Sequence, residues 1–299
     1  MTTDFTNIAT RAMLVRLSVT SWTARRFDRK ASEKATDASK ADKEAGRFNK
    51  HLLAGAKQHA DIIKAAGAAR TVHYTQTLPW GDDNWRLLPT ANYFTYMEAM
   101  RAVKQPWASA VSEFVDAYPR LRDESELKLG AMWNADEYPP AADVKERFTW
   151  SIEVAPVPAE GDLRVDLPAD ICAQLEAGIV NRVQDSVKEA MADVWQRLRD
   201  SVARIKARTT DDAEKDRRSP IRDTLIEQAR EMVDVLGRLN VSRDTDLDLM
   251  RDRVLRDLAG IDVESLRTDP DLRADTAKRA DAILAAMDSY FRPAKQEVA

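Results

Sequence analysis

The longest regular apolar pattern in the chain lies between Leu175 and Ile205. Apolar residues recur there every three or four positions, and charged or polar residues fill most of the others: Leu175, Ile179, Val183, Val187, Met191, Val194, Leu198, Val202 and Ile205. This spacing places them along one side of an α-helix. We therefore predict a long amphipathic helix over 169–208, about 60 Å long at 1.5 Å per residue. Such a length is typical of a coiled-coil-like stalk or of a helix that spans a whole molecule.

The composition favours helix elsewhere too. Of 299 residues, 44% are hydrophobic, which is enough to build a core. Another 32% are charged and only 9 residues are Gly, a composition that favours helices. We predict an α+β, predominantly helical fold. Residues 1–168 are expected to form an α+β domain, and residues 169–299 a helical domain in which a bundle follows the long helix.

Strand patterns are confined to the part of the chain before Pro168. Apolar and polar residues alternate, or β-formers cluster, in the segments 13–22, 71–78, 85–88, 148–154 and 163–167. The last two flank a turn-rich loop, so we predict that they form a β-hairpin. Together the strands should make a small, mainly antiparallel sheet.

Helical spacing connects and follows these strands. A charge-laced helix with an alanine stripe is predicted over 31–70, with a break near Gly46. An aromatic-rich helix is expected from Tyr93 to Tyr118, with a kink or break at Pro106, and a shorter helix over 121–134. In the last third, helices are predicted from Ser219-Pro220, over 244–258 and over 270–291, after a polar linker at 208–218.

The motifs that usually carry chemistry are missing. The chain has no glycine-rich phosphate loop, and its single cysteine, Cys172, has no neighbouring histidine in the sequence. Asp244, Asp246 and Asp248 resemble the start of a calcium loop. However, Leu249 occupies the position that requires Gly, so we interpret them as a helix cap with first-turn acids. We therefore predict no catalytic residue, no cofactor and no metal ligand.

Neither the N-terminal segment nor any apolar run suggests a membrane protein. Residues 1–17 lack the basic-then-apolar pattern of a signal peptide, and no apolar run approaches the roughly 20 residues that span a bilayer. We expect a cytoplasmic protein that does not cross a membrane, which the single cysteine also suits.

Charge is distributed unevenly along the chain. Residues 1–70 hold 14 Lys or Arg and 7 Asp or Glu, whereas the remaining residues hold 32 and 43. Basic side chains beside aromatic ones are typical of proteins that bind single-stranded nucleic acid. The candidate residues are Arg25, Arg26, Arg29, Lys30, Trp80, Trp85 and Arg86. The alternative interpretation is a solvated lysine-rich helix and an aromatic cluster that packs where a helix meets the sheet.

Three segments resemble a family of uncharacterised phage and prophage proteins: LSVTSWTARRFDRK, LPWGDDNWRLLPTANYFTYMEAM and FTWSIEVAPVPAEGDLRVDL. The resemblance covers about residues 12–170. It implies a phage or mobile-element setting, in which genes for MoxR-type AAA+ ATPases and von Willebrand A-type proteins occur, and hence an AAA+ ATPase as a possible partner. The family has no assigned chemistry, so the resemblance assigns no catalytic residue.

Three functional hypotheses follow. The first is a non-enzymatic assembly or adaptor protein that self-associates, or docks a protein partner, through one seam of the long helix: Leu175, Ile179, Val183, Val187, Met191 and Leu198. The second is a single-stranded nucleic-acid-binding protein of phage DNA metabolism. The third is an enzyme whose carboxylates come from distant parts of the sequence.

Overall fold

The computed structural model describes residues 8–81, 83–159, 161–163, 165–210, 221–222 and 224–291. It is 67% helical and contains a small antiparallel four-stranded sheet, which confirms the predicted α+β, predominantly helical class. Across the described residues, no helix is long and apolar enough to cross a membrane.

Helices and strands follow one another along the chain with these bounds: α1 Ile8–Arg11, β1 Ala12–Val19, β2 Arg25–Phe27, α2 Arg29–Ala38, β3 Asn49–His51, α3 Lys57–Gln76, β4 Leu78–Pro79, β5 Arg86–Pro89, α4 Tyr93–Leu129, β6 Trp150–Pro156, α5 Ala169–Thr209, α6 Thr224–Leu239, α7 Thr245–Asp257, α8 Val263–Thr268 and α9 Pro270–Phe291. The four-stranded sheet has the order β4-β5-β1-β6, and β2 pairs with β3 in a separate two-stranded ribbon.

The chain divides into two compact units, each made of separate segments. The first unit contains Met1–Arg16, Gln76–Phe94 and Val154–Ala299, and the second contains Leu17–Thr75 and Thr95–Glu153. The boundary predicted after Pro168 falls inside the first unit. The division into an α+β domain and a helical domain at that residue stays a prediction.

The first unit is organised around the second half of α5. That half packs against α6 and α9, and α7 packs against both α6 and α9. The fully buried side chains of the first unit include Val194, Leu198, Val233, Leu236 and Ile283. The short strands add Leu78 and Leu87 to the same apolar core, so part of the sheet and the C-terminal helices share one hydrophobic cluster.

The second unit has an aromatic core of its own. Phe114 and Tyr118 of α4 are buried there, together with Ile62 of α3. The ring of Phe114 meets that of Phe148 edge-on, with 5.3 Å between the centroids. Such edge-to-face pairs add about 0.5–1.5 kcal/mol to the burial of their apolar area.

Two sequence predictions in the second unit differ from the structure. Residues 71–76 are the last turns of α3 and not a strand, because the buried positions Ile62, Ala66, Ala69 and His73 continue a helical spacing into that segment. The helix predicted over 31–70, with a break near Gly46, is interrupted in that region, but the interruption is longer than a break and contains a strand. α2 ends at Ala38, and the strand β3 separates it from α3. The buried side of α2 carries Ser32 and Thr36 instead of the alanines.

The predicted hairpin is also wrong. β6 lies beside β1, and the described residues among 161–167 form no strand. Alternation along 148–154 indicates a strand with two unlike faces but does not identify its neighbour.

In the preceding part of the chain, α4 continues through Pro106 without a break and includes the segment predicted as a separate helix up to Leu129.

The C-terminal predictions agree closely with the structure. α5 covers the span predicted for the long helix, and α9 begins at Pro270 as expected. Asp244 caps α7 by accepting hydrogen bonds from the amides of Asp246 and Leu247, which confirms the capping interpretation of this acidic segment. The predicted helix start at Ser219-Pro220 and most of the 208–218 linker lie outside the described residues.

Candidate functional site

The four basic residues singled out in the sequence lie together in the second unit. Arg25 and Arg26 are exposed on β2, and Arg29 and Lys30 are exposed at the start of α2. Arg29 forms an ion pair with Glu33 one turn later at 2.9 Å. We call residues 25–27 and 47–51 the basic ribbon, because they contain the paired strands β2 and β3.

Backbone hydrogen bonds hold the basic ribbon on both sides of the strands. The amide of Leu52 donates to the carbonyl of Ala24 at 2.8 Å, and the amide of Asp28 donates to that of Phe48 at 3.0 Å. The hydroxyl of Ser32 accepts a further bond from the amide of Phe48 at 2.9 Å. Ala24 has a φ of 48°, a left-handed conformation that a residue with a Cβ rarely adopts. The ribbon is therefore a defined structural element.

One face of the basic ribbon is anchored by a buried lysine. Lys50 donates to the carbonyl of Met132 at 2.6 Å, and its Nζ lies 2.8 Å from a carboxylate oxygen of Glu137 and 3.5 Å from one of Asp28. A buried ammonium group needs such partners, because the loss of water would otherwise make its charge very costly. Lys50 therefore serves the structure and is not part of an exposed binding surface.

The opposite, outer face of the basic ribbon is open to solvent. Arg25 lies across from His51 in the pairing register, and Phe27 lies across from Asn49. Residues two apart on a strand share a face, so these four side chains lie on the same side. The guanidinium of Arg47 lies over the ring of Phe27, 5.4 Å from its centroid. The outer face thus combines two arginines, a half-exposed phenylalanine and two further polar side chains.

A groove of about 310 Å³ adjoins the ribbon between α2 and the turn that follows it. Small side chains make most of its wall, and Arg47 and Phe48 stand at its ribbon end. The lining residues are Ser32, Ala35, Thr36, Ser39, Ala41, Ala45, Gly46, Arg47 and Phe48. None of them is a carboxylate, so this groove offers no acid–base pair for catalysis.

The two tryptophans of the predicted nucleic-acid site lie in the first unit. Trp80 and Trp85 are partly buried against its core. The guanidinium of Arg16 lies 4.9 Å from the centroid of the Trp85 ring. Arg86 donates to the hydroxyl of Thr77 at 2.6 Å and to its carbonyl at 3.0 Å. Trp80 and Trp85 therefore contribute to packing within this unit, and Arg86 to its hydrogen bonding. Their role in nucleic-acid binding stays a prediction.

Comparison with protein-family models, curated proteins and solved structures finds no match. The resemblance of residues 12–170 to phage proteins therefore stays a prediction.

The six residues predicted for the helical seam fall into two groups. Val187, Met191 and Leu198 are buried in the core of the first unit, where they contribute to its stability. Leu175 is exposed, and Ile179 and Val183 are only partly buried. Val165, Leu167 and Ile171 precede them in the chain and are exposed too. The first half of α5 therefore presents Leu175 and Ile179 outside this core, whereas Val183 packs against its edge.

Two buried tyrosines in the second unit have hydrogen-bond partners. Nδ1 of His73 lies 2.9 Å from the hydroxyl of Tyr96, and burial raises the pKa of that tyrosine. Burial also raises the pKa of Tyr118 to about 12, and its hydroxyl donates to the carbonyl of Pro139 at 2.8 Å. A phenol with a raised pKa stays protonated and acts as a hydrogen-bond donor.

Metal ligands do not converge in the part of the chain that the structure describes. No group of three or more His, Cys, Asp or Glu side chains there could hold a metal ion. The partly exposed Sγ of Cys172 lies 3.5 Å from the carbonyl of Leu167. The two candidate surfaces are therefore the basic ribbon and the first half of α5.

Sequence reasoning missed Phe27, Arg47 and His51 as members of one surface. Phe27 directly follows the basic pair that was identified, so its neighbours in sequence were a usable signal. Arg47 and His51 lie twenty and twenty-four residues after Phe27. Only the pairing of β2 with β3 brings them beside Arg25 and Phe27.

Proposed function

We propose that the protein is a non-enzymatic assembly or adaptor protein that self-associates through the first half of α5. The observation that carries this proposal is the burial pattern along the helix. None of the eighteen side chains from Ala169 to Ser186 is buried, whereas Val187, Ala190, Met191 and Val194 are buried in succession. At 1.5 Å per residue, these eighteen residues span about 27 Å of helix, and Val183 near the end of the span packs against the edge of the core.

This part of the helix has an apolar strip. Ile171, Leu175, Ile179 and Val183 follow one another at four-residue spacing, which keeps successive residues on neighbouring turns of one side. Isolated helices of this length are only marginally stable in water. Packing of the strip against another helix would bury these side chains and stabilise the helical conformation.

A second copy of the same chain suits this strip because the strip is nearly neutral. Between Ile171 and Asn181 the sequence holds a single charged residue, Glu176. Two copies can therefore meet along it with little like-charge repulsion. Specific pairing with a different protein more often relies on complementary charges.

Gly178 supports close packing of another helix. A Cβ at this position would meet nothing within 4 Å, so packing within the chain does not require glycine. Glycine in a helix interior costs about 1 kcal/mol relative to alanine. Gly178 lies three residues after Leu175, on the same side of the helix, and its lack of a side chain suits the approach of a neighbouring backbone.

Size-exclusion chromatography with light scattering tests the proposal. The wild-type protein is expected to form an oligomer whose mass depends on concentration. The double variant Leu175→Asp/Ile179→Asp should be a monomer with an unchanged unfolding temperature, because Leu175 is exposed and Ile179 is only partly buried. Ala177→Asp is the matched control, since it adds a carboxylate two residues from each target on the opposite side of the helix, and it should leave the oligomer intact.

Two further variants separate association from folding. Gly178→Leu should weaken association while it raises helix propensity, so a loss of mass in this variant cannot come from unfolding. Val187→Asp should unfold the first unit, because Val187 is fully buried. A wild-type monomer at every concentration, or equal loss of the oligomer in Ala177→Asp, would disprove the proposal.

A further inference from the structure

The outer face of the basic ribbon holds cations that the fold does not use. Within the described part of the chain, Arg25 and Arg47 on this face form no ion pair. Arg26 on the other face of β2 and Lys30 in α2 form none either, unlike Arg29, which pairs with Glu33. Arg29 and Lys30 also lie in the first turn of α2, where the helix dipole disfavours positive charge. The segment 25–51 holds nine Lys or Arg and five Asp or Glu, so this excess of positive charge is local.

An aromatic ring stands among these cations. Phe27 is 48% exposed, although phenylalanine is among the residues that are most often buried. Arg47 covers one part of the ring by a cation–π contact. A flat ring flanked by guanidinium groups can stack on a base while the arginines bind the phosphates on either side of it.

The groove beside the ribbon extends this surface. Phe48 is 41% exposed at its edge, and alanine side chains leave the space in front of α2 open. The hydroxyls of Ser32 and Thr36 already donate to backbone carbonyls, which leaves the wall mainly apolar. Such a wall accepts the flat face of a base without selecting its hydrogen-bonding edge.

We propose that the outer face of the basic ribbon and the adjoining groove bind single-stranded nucleic acid. Arg25 and Arg47 contact phosphates, Phe27 stacks on a base, and the groove receives a neighbouring base. A single strand is the ligand because a ring can stack only on a base that is not already stacked in a duplex. The surface differs from the one predicted from sequence, since its aromatic members are Phe27 and Phe48 and not Trp80 and Trp85.

Fluorescence anisotropy with fluorescein-labelled oligothymidylate tests this site. Arg25→Ala/Arg47→Ala should weaken binding at least tenfold at low salt. It should also reduce the slope of log affinity against log salt by about 1.4, because each phosphate contact to a single strand contributes about 0.7. The matched control is Lys57→Ala/Lys64→Ala, which removes two exposed charges from α3 in the same unit and should change affinity much less.

The aromatic and groove contacts have a different signature. Phe27→Ala should weaken binding about tenfold with an unchanged salt slope, since stacking on one base contributes roughly 1–3 kcal/mol. Ala35→Phe should fill the groove and also weaken binding without a change in slope. Arg25, Phe27 and Ala35 are exposed, so circular dichroism should show the wild-type unfolding temperature for each of these variants.

Three results would overturn the proposal. The first is no binding of oligothymidylate at low salt. The second is an equal loss of affinity in the lysine control, which would indicate attraction by overall charge only. The third is binding to vesicles that contain anionic phospholipid, with the same dependence on Arg25 and Arg47, together with no binding of the oligonucleotide. That outcome would assign the surface to a membrane.

Discussion

Asp28 stabilises two neighbouring structures at the point where β2 passes into α2. One carboxylate oxygen accepts a hydrogen bond from the amide of Ala31 at 2.9 Å and so caps the helix. The other lies 3.5 Å from Nζ of Lys50. The hydrogen bond from the Ala31 amide is the main cause of the lowered pKa of Asp28, and the charge of Lys50 lowers that pKa further. Asp28 therefore stabilises both the start of α2 and the buried lysine of the basic ribbon.

Replacement of this carboxylate should have a pH-dependent cost. Asp28→Ala is expected to lower the free energy of unfolding at neutral pH by about 1 kcal/mol, the usual cost of losing a cap. Because the pKa of Asp28 in the folded chain lies below 3.8, its ionisation stabilises the fold fully above that pH. The benefit is lost as pH falls through the lower, folded pKa. Urea unfolding at neutral pH and at about pH 2 measures this difference.

Asp28→Asn is the matched variant for the same experiment. Asparagine caps a helix about as well as aspartate but carries no charge. It should therefore retain most of the capping contribution and lose the pH dependence. A difference between wild type and Asp28→Ala that stays constant down to the lowest pH would contradict the assignment of this carboxylate.

At the scale of elements, a close approach between α6 and α7 depends on a glycine. A Cβ at Gly237 would overlap the guanidinium of Arg251. That guanidinium is largely buried. Its Nε donates to the carbonyl of Val233 at 2.9 Å, and its Nη1 donates to a carboxylate oxygen of Asp248 at 2.8 Å. The arginine thus fills the space that a side chain at Gly237 would occupy and links the two helices.

The effect of Gly237→Ala on the free energy of unfolding should change sign when Arg251 is absent. In the wild-type background we expect a loss of about 1 kcal/mol of unfolding free energy, because the displaced guanidinium loses its hydrogen bonds to the Val233 carbonyl and the Asp248 carboxylate. In an Arg251→Ala background the same change should raise stability by up to about 1 kcal/mol, since alanine favours helix. A double-mutant cycle by urea unfolding measures the reversal.

Gly67→Ala in α3 provides the control for helix propensity alone. A Cβ there would meet nothing within 4 Å, so the substitution should stabilise the protein whether or not Arg251 is present. Equal effects of Gly237→Ala in both backgrounds would show that the arginine yields its place at no cost.

At the scale of the whole molecule, two separate apolar clusters support the two units. The buried residues of the α5–α9 core and those of the α3–α4 core have no member in common. The chain passes from one unit to the other at four places along its sequence. Each unit therefore depends on residues that are distant in sequence.

Core truncation should loosen the unit in which it is made. Phe114→Ala is expected to cost about 3–5 kcal/mol and Leu236→Ala about 2–5 kcal/mol, because both side chains are fully buried. Hydrogen exchange followed by mass spectrometry should show faster exchange in α3 and α4 for the first variant. For the second it should show faster exchange in α5, α6 and α9. Uniform acceleration across all helices in both variants would contradict this expectation.

Local spacing was sufficient to predict α5, α9 and β1 from the sequence. Their periodic residues lie close together along the chain, so the spacing itself reveals which side faces a core. The same holds for Asp244, whose capping role depends only on the next few amides. The predominance of helix followed from composition and from these long patterns.

Tertiary structure alone decided which surfaces are free. One apolar period runs along the whole of α5, but α6 and α9 pack against its second half, so only the first half stays exposed. β6 lies beside β1 and not beside the segment predicted as its hairpin partner. β2 pairs with β3 although more than twenty residues separate the two strands in the sequence. These partners depend on contacts between distant segments, which no local pattern encodes. For that physical reason the sequence identified Arg25, and only the fold brought Phe27, Arg47 and His51 to the same face.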